Sequence, residues 1–348
     1  MTWVPLLLAD PSPCLRLMVL RDLLGKPEDD PEVRELVALR QEDPLVADLL
    51  ALQKPDGSWD SRDLRWLTRT PQTWTTTLAL ARLGYLGFGA NHPAVRRGAE
   101  HLFGEQCEDG SWPLPRIQEH SEADSGYSMV PLQTAVPLHS LAMCGYATDP
   151  RAEQAYTWLL ARQLPDGAWP TGIASGNYGY VAGYRRLAHS RWGCRSNTTA
   201  ALNALVHHPK YGNGPAARQA LDLVLGRETR ETQSLGFEVA RLLGAEPVRG
   251  FFTYHARFDL AVVLDLCWRV GATGDDARVA DLVEWIYQAQ GPYGLWEYGP
   301  RPQVSRWVTF DLLRSLYQLE RNGGSEQAWL SQEPRTPFHA YRPRPRRF

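Results

Sequence analysis

No apolar run in this chain approaches the roughly eighteen residues needed to span a bilayer. The opening MTWVPLLLADPSP has no basic residue ahead of its short apolar stretch, so a secretory signal is not expected. No Ser/Gly tract or long charge run divides the sequence. Neither sign of charge predominates: 37 Lys and Arg stand against 39 Asp and Glu, for a net charge of -2. That balance gives no electrostatic reason to expect nucleic acid as a partner. There is no Cys-x-x-Cys, and Cys14, Cys107, Cys144, Cys194 and Cys267 are odd in number and widely separated. They read as reduced thiols of a cytoplasmic protein, with peripheral membrane contact left open.

What the chain has is tryptophan, 13 copies in 348 residues, and repetition. Three segments read Q-x-x-D-G-x-W: Gln53 to Trp59, Gln106 to Trp112 and Gln163 to Trp169. A fourth, Gln290 to Trp296, keeps the spacing and has Tyr293 in place of Asp. The tryptophans recur at intervals of 53, 57 and 127 residues, so the last gap holds a degenerate copy near Gln233 to Phe237. A period of this length marks a repeated helical unit. Each motif follows an amphipathic stretch such as HPAVRRGAEHLFGEQ, with Gly closing the helix and Trp folding back as a staple. The motifs are read as structural.

Between them lie helices apolar nearly all round, at 74–87, 133–147, 197–209, 258–272 and 307–320, with a more polar member at 14–25. Helices apolar on every side are buried. Six inner helices alternating with amphipathic outer ones predict an all-α, closed α6/α6 toroid. It forms a single domain over residues 1–330, followed by a Pro/Arg-rich tail at 331–348. The sixth outer helix would come from Ser325 to Leu330. Inner-to-outer turns are short and outer-to-inner connections long, so the long loops gather at the inner-helix N-termini. Long loops in a compact domain are commonly functional, which marks that rim as the functional face.

The Q-x-x-D-G-x-W segments and their flanking helices resemble the repeats of squalene–hopene cyclases and protein prenyltransferase β subunits, over residues 12 to about 320. DPSPCLRLMVLRDLLG, GCRSNTT, YHARFDL and RWVTFDLLRSL resemble more closely bacterial proteins labelled prenyltransferase/squalene-oxidase repeat proteins. The resemblance implies a hydrophobic central cavity for an isoprenoid. It does not carry the reaction over. The D-x-D-D acid motif of class II terpene cyclases is missing; Asp124, Asp275 and Asp276 do not match it. Asp265-Leu-Cys267 has the letters of the prenyltransferase zinc motif, but the expected His slot holds Val308 or Thr309. No metal or other cofactor is therefore expected, apart from Mg²⁺ if the substrate is a diphosphate.

Candidate chemistry follows from the rim. Asp259 opens the fifth inner helix behind His255 and is either a cavity acid, with its proton held by desolvation, or a helix cap. Asp311 shares a helix face with Arg314, as a second acid or as an intrahelical ion pair. Arg185, Arg186 and Arg195, near a helix start at Asn197, are either a diphosphate site or a solvated loop. Trp66, Trp74, Tyr127, Trp192, Tyr254, Phe258 and Trp307 either line the cavity, where their faces would stabilise carbocations, or pack beneath the loops. The leading expectation is an acid-initiated, non-standard terpene cyclase. The alternatives are a non-catalytic isoprenoid- or lipid-binding protein, and an α6/α6 polysaccharide lyase or hydrolase. A closed aromatic cavity favours the first two and an open polar one the third.

Overall fold

The computed structural model describes residues 3–64, 71–112, 131–170, 173–174, 177–178, 187, 189–227, 234–246, 259–299 and 301–322. A short α1 (Trp3–Leu8) precedes the first inner helix, α2 (Pro13–Met18), which continues as a π-helical turn at Val19–Leu23. The other inner helices are α5 (Gln72–Tyr85), α7 (Pro131–Leu141), α9 (Arg195–Leu205), α12 (Leu260–Val270) and α14 (Pro302–Asn322). In α5 every residue but Gln72 and Gly84 is buried, and in α7 every residue but His139. Neighbours pack in ring order: α5 on α7, α7 on α9, α12 on α14, and α14 on the turn after α2. The described residues thus form the closed α/α toroid that the repeat predicts.

The outer layer comprises α3 (Pro31–Leu39), α4 (Pro44–Leu52), α6 (Pro93–Gly104), α8 (Pro150–Leu160), α10 (Pro215–Arg227) and α13 (Ala277–Gln288). Their sequences carry their own start signals. Asp30, Asp43, Asp149 and Asp276 each accept a backbone N–H two residues on, at 2.9 Å, satisfying a donor the helix itself cannot. Pro follows the cap in α3, α4 and α8, where its missing N–H costs nothing. One stripe of α6, Ala94, Val95, Gly98, Ala99, Leu102 and Phe103, faces the core. A two-residue antiparallel ladder, Ile173–Ala174 with Asn177–Tyr178, lies between α8 and α9. The tail at 331–348 and the candidate outer helix at 325–330 lie outside the described residues.

The four repeat motifs share one set of hydrogen bonds. Trp59, Trp112, Trp169 and Trp296 each donate the indole N–H to a carbonyl ten residues back, at 2.7–2.8 Å. Their backbone N–H groups donate to Thr76, Thr134, Thr198 and Thr309 on the following inner helix, at 2.9–3.2 Å. Gln53, Gln106 and Gln163 close their own turns and also donate to Ala94, Arg151 and Ala216 of the next outer helix. Each motif therefore pins one hairpin to the next. The turn glycines are left-handed, with φ of 86° at Gly57, 89° at Gly110 and 93° at Gly167. A Cβ on Gly57 would lie 2.2 Å from the Arg97 carbonyl oxygen. All four tryptophans are buried, none lines the central cavity, and their role is structural as expected.

The degenerate copy behaves differently. Gly236 keeps the left-handed φ, at 85°, but its α-carbon faces Val308 of inner helix α14, not an outer helix. The chain then runs into α11 (Phe237–Leu242), which packs against both α5 and α14. Arg82 of α5 donates through Nε to the carbonyl of Leu242 and holds its far end. A sixth helix thereby joins the cavity wall, while α2 contributes nothing to its lining.

Candidate functional site

A cavity of about 340 Å³ occupies the middle of the toroid, lined by α5, α7, α9, α11, α12 and α14. Part of its wall is apolar: Leu78, Ala81, Val136, Met143, Val239, Leu242 and Val262. The rest carries Tyr85, His139, His207, Asp265, Arg269, Asp311 and Arg314. The described part of the wall is less aromatic and more charged than the expected hydrophobic cavity. Among the described lining residues Tyr85 is the one Phe, Tyr or Trp, and charged side chains take the remaining space. The position is corrected. Tyr85 ends α5, His139 lies in the last turn of α7 and His207 lies two residues beyond α9. The cluster faces the short-loop end, not the long-loop rim.

Two carboxyls in the cluster have opposite environments. Asp265 accepts the Trp268 indole N–H at 3.0 Å on Oδ1 and Arg269 Nε at 2.7 Å on Oδ2. Burial alone would raise it, but the Arg269 and Arg314 guanidiniums hold it below the ordinary carboxylate value. Asp311 accepts the Tyr85 hydroxyl at 3.1 Å and Arg314 Nη2 at 3.2 Å, both on Oδ1. Its Oδ2 has no hydrogen bond among the described residues. Burial pushes Asp311 up to about 6, with the Asp265 charge adding to it and Arg314 and Tyr85 opposing. Of the two carboxyls, Asp311 therefore holds a proton to higher pH than Asp265 does. Across the cavity the rings of His139 and His207 lie 5.0 Å apart. Burial and the Arg269 charge lower both, His139 to about 4, so both imidazoles are neutral at physiological pH.

Asp259 borders the same cavity near α11. It caps α12 by accepting the Ala261 N–H at 3.1 Å, and it also accepts Gly236 N–H at 2.8 Å and Glu238 N–H at 2.7 Å. One carboxyl thus caps two helices and ties α11 to α12. Burial pushes it up to about 7 against the three donors, which favour the ionised form. Beside it Glu238 and Arg241 of α11 are paired at 2.8 Å.

The remaining predicted residues scatter. Trp74 is buried away from the cavity lining. Trp307 lies 6.0 Å from the Tyr85 ring and lines a separate hollow of about 940 Å³ beside the start of α14. Trp192 is 37% exposed, with the Arg191 guanidinium 4.9 Å from its ring, so as a cavity residue it is corrected. Arg195 is the first residue of α9, two residues before the expected start, and is absent from the lining. Asn197 accepts the Leu132 N–H at 3.1 Å and donates to the Pro170 carbonyl at 2.6 Å, so it joins elements and opens no anion site. Trp66, Tyr127, Arg185, Arg186, Tyr254, His255 and Phe258 lie outside the described residues. Sequence reasoning missed Tyr85, His139, His207 and Arg269. A signal existed for two of them: a lone histidine, His139, on a mostly apolar helix, and the four-residue spacing of Asp265 and Arg269.

The Asp265-x-Cys267 pair is divided. Asp265 lines the cavity with both oxygens occupied, whereas Cys267 is fully buried and absent from the lining. Among the described residues no group of three or more His, Cys, Asp or Glu could hold a metal ion. Among them, too, no helix is long and apolar enough to cross a membrane.

Comparison with known proteins gives one family and several structures. Residues 25–183 match the squalene–hopene cyclase C-terminal domain. Lanosterol synthase of Candida albicans is 29% identical over 100 residues, 28% of this chain and 14% of the synthase, so the match spans a small part of that relative. A crystal structure of a protein from Actinoplanes superposes with a TM-score of 0.45 at 19% identity, over 88% of this chain and 90% of that one. The type II terpene cyclase MstE from Scytonema gives 0.33 at 16% identity, over 78% of this chain and 94% of its own. The resemblance to squalene cyclases seen in the repeats is thus found independently in the sequence comparison.

Proposed function

We propose that this chain binds an isoprenoid-type small molecule in the central cavity and cyclises it by proton transfer from Asp311. The single observation that carries the reading is the Asp311 carboxyl: raised toward neutrality, anchored on one oxygen by Tyr85 and Arg314, and with no hydrogen bond on Oδ2 among the described residues. An anchored, partly protonated carboxyl is the form that general acid catalysis needs. The proton on Oδ2 would pass to an alkene carbon of a substrate lying against Leu78, Val136 and Val262. His139 or His207, both neutral, would accept the proton lost at the end of the cascade. Asp259 and His255 were the other candidate acids; we assign Asp259 the structural part, because three N–H groups occupy its two oxygens. Trp74, Tyr127, Trp192, Tyr254, Phe258 and Trp307, with Arg185, Arg186 and Arg195, form no part of the proposed machinery. Five free cysteines agree with a reducing, cytoplasmic setting.

Incubation with isoprenyl alcohols, isoprenyl diphosphates and squalene-type polyenes, read by mass spectrometry, tests the reading. An isomeric cyclic product, lost in Asp311→Asn, is expected. Binding without turnover would instead identify a carrier. A second reading has one observation in its favour, the charged lining with Asp265 and Asp311 both in reach of Arg314. A polysaccharide lyase or hydrolase would use such a polar cavity, and glycan cleavage in a parallel incubation would select that reading.

A further inference from the structure

A second hollow, of about 400 Å³, opens at the short-loop end of the toroid. Its walls are the last turns of α12 and α14 and the turn that follows α2. Four arginines line it, Arg21, Arg269, Arg314 and Arg321, against a single carboxyl, Asp22. Burial raises the Asp22 pKa, and the Arg314, Arg21 and Arg269 charges oppose that rise. Arg269 and Arg314 line both this hollow and the central cavity, so their guanidiniums form the partition between the two. From the cavity side Asp265 and Asp311 fix them, through Arg269 Nε at 2.7 Å and Arg314 Nη2 at 3.2 Å. A guanidinium carries five N–H donors, so these bonds leave most of the fork unused. The Nε of Arg314 is buried and has no partner among the described residues. Arg269 is further steadied over the Trp268 ring at 4.4 Å, and Arg321 lies 5.7 Å from the Tyr317 ring.

We propose that this vestibule is an oxyanion site that takes the phosphate or diphosphate group of a small molecule. Planar guanidinium forks match phosphate oxygens in pairs, and the four arginines, Arg21 among them bridged to Glu28 at 3.4 Å, outnumber the one carboxyl of the lining. Two of the four arginines are already oriented by carboxylates behind them, so little freedom is lost when the anion binds. The site stands on these residues whatever reaction the cavity performs. Where the proposed isoprenoid chemistry also holds, which this extension rests on, the head group would sit in the vestibule and its chain would pass between Arg269 and Arg314.

Isothermal titration of the full chain with inorganic pyrophosphate tests the site without any isoprenoid, so its outcome is independent of turnover. One equivalent should bind, more weakly as salt rises. The double variant Arg21→Gln/Arg321→Gln, which spares both partition arginines, should weaken binding by about tenfold or more. Its circular dichroism should match the wild type, since both altered side chains are exposed. Absence of pyrophosphate binding, or equal binding by the double variant, would overturn the proposal. Phosphatidylcholine vesicles containing phosphatidylglycerol form the second arm: capture by these vesicles in place of soluble pyrophosphate would overturn the small-molecule assignment.

Discussion

Asp259, buried, and Asp311, partly buried, are both carboxyls with raised pKa, and their hydrogen bonds separate their roles. Asp259 uses both oxygens on three backbone donors. An asparagine there has one acceptor oxygen and would turn an NH₂ group toward a backbone N–H. Asp259→Asn should therefore cost about 1–3 kcal/mol of stability in urea unfolding, the penalty of a buried unsatisfied donor. An unchanged midpoint would show that these bonds are not formed. Asp311→Asn keeps an oxygen for Tyr85 and Arg314, so it should fold normally while turnover falls by roughly 10²–10⁴-fold. The pH dependence has a definite sign. Because the folded value of Asp311, about 6, exceeds the ordinary 3.8, the native state retains this proton longer than the unfolded chain does. Its contribution to stability is full below about 4 and declines as pH rises through 6. The unfolding free energy of wild type minus that of Asp311→Asn should fall across that window. A flat difference would contradict the raised value.

The helical hairpins were legible in the sequence because their determinants are local. Asp–Pro starts and left-handed turn glycines act on their own backbone, each repeat Gln closes its own turn, and each Trp indole reaches a carbonyl ten residues back. The threonine partners were legible too, in WTTT, QTAV, NTT and VTF, and the fifth inner segment, FDLAVV, has none. That gap coincides with the degenerate copy whose chain enters the cavity wall as α11. What could not be read was where α11 goes, since Gly236 meets Val308 some 70 residues away. The pairing of each Trp N–H with its Thr also yields an expectation. Thr134→Val removes the acceptor for Trp112 N–H and should destabilise by about 1–3 kcal/mol in denaturant unfolding. Trp112→Ala should cost about 3–5 kcal/mol. Equal midpoints for wild type and Trp112→Ala would refute the staple.

At the scale of the whole molecule, the toroid converts scattered polar residues into one site. Tyr85, His139, Asp265 and Asp311 come from four helices and His207 from the turn after α9, and nothing local to any one of them points to the others. Their convergence depends on ring closure, which is why sequence spacing pointed to the long-loop rim and the structure points to the opposite end. The same cavity carries both apolar and charged side chains, a combination suited to a molecule with a hydrocarbon body and one reacting end. The central claim is that Asp311 delivers a solvent-derived proton to carbon. Incubation of the wild type in D₂O with the isoprenoid on which it acts, followed by work-up in H₂O and mass spectrometry, reads that event directly. The account predicts a cyclic product carrying one carbon-bound deuterium, and none of it from Asp311→Asn. A product free of deuterium, or undiminished labelling in the Asn variant, would contradict it.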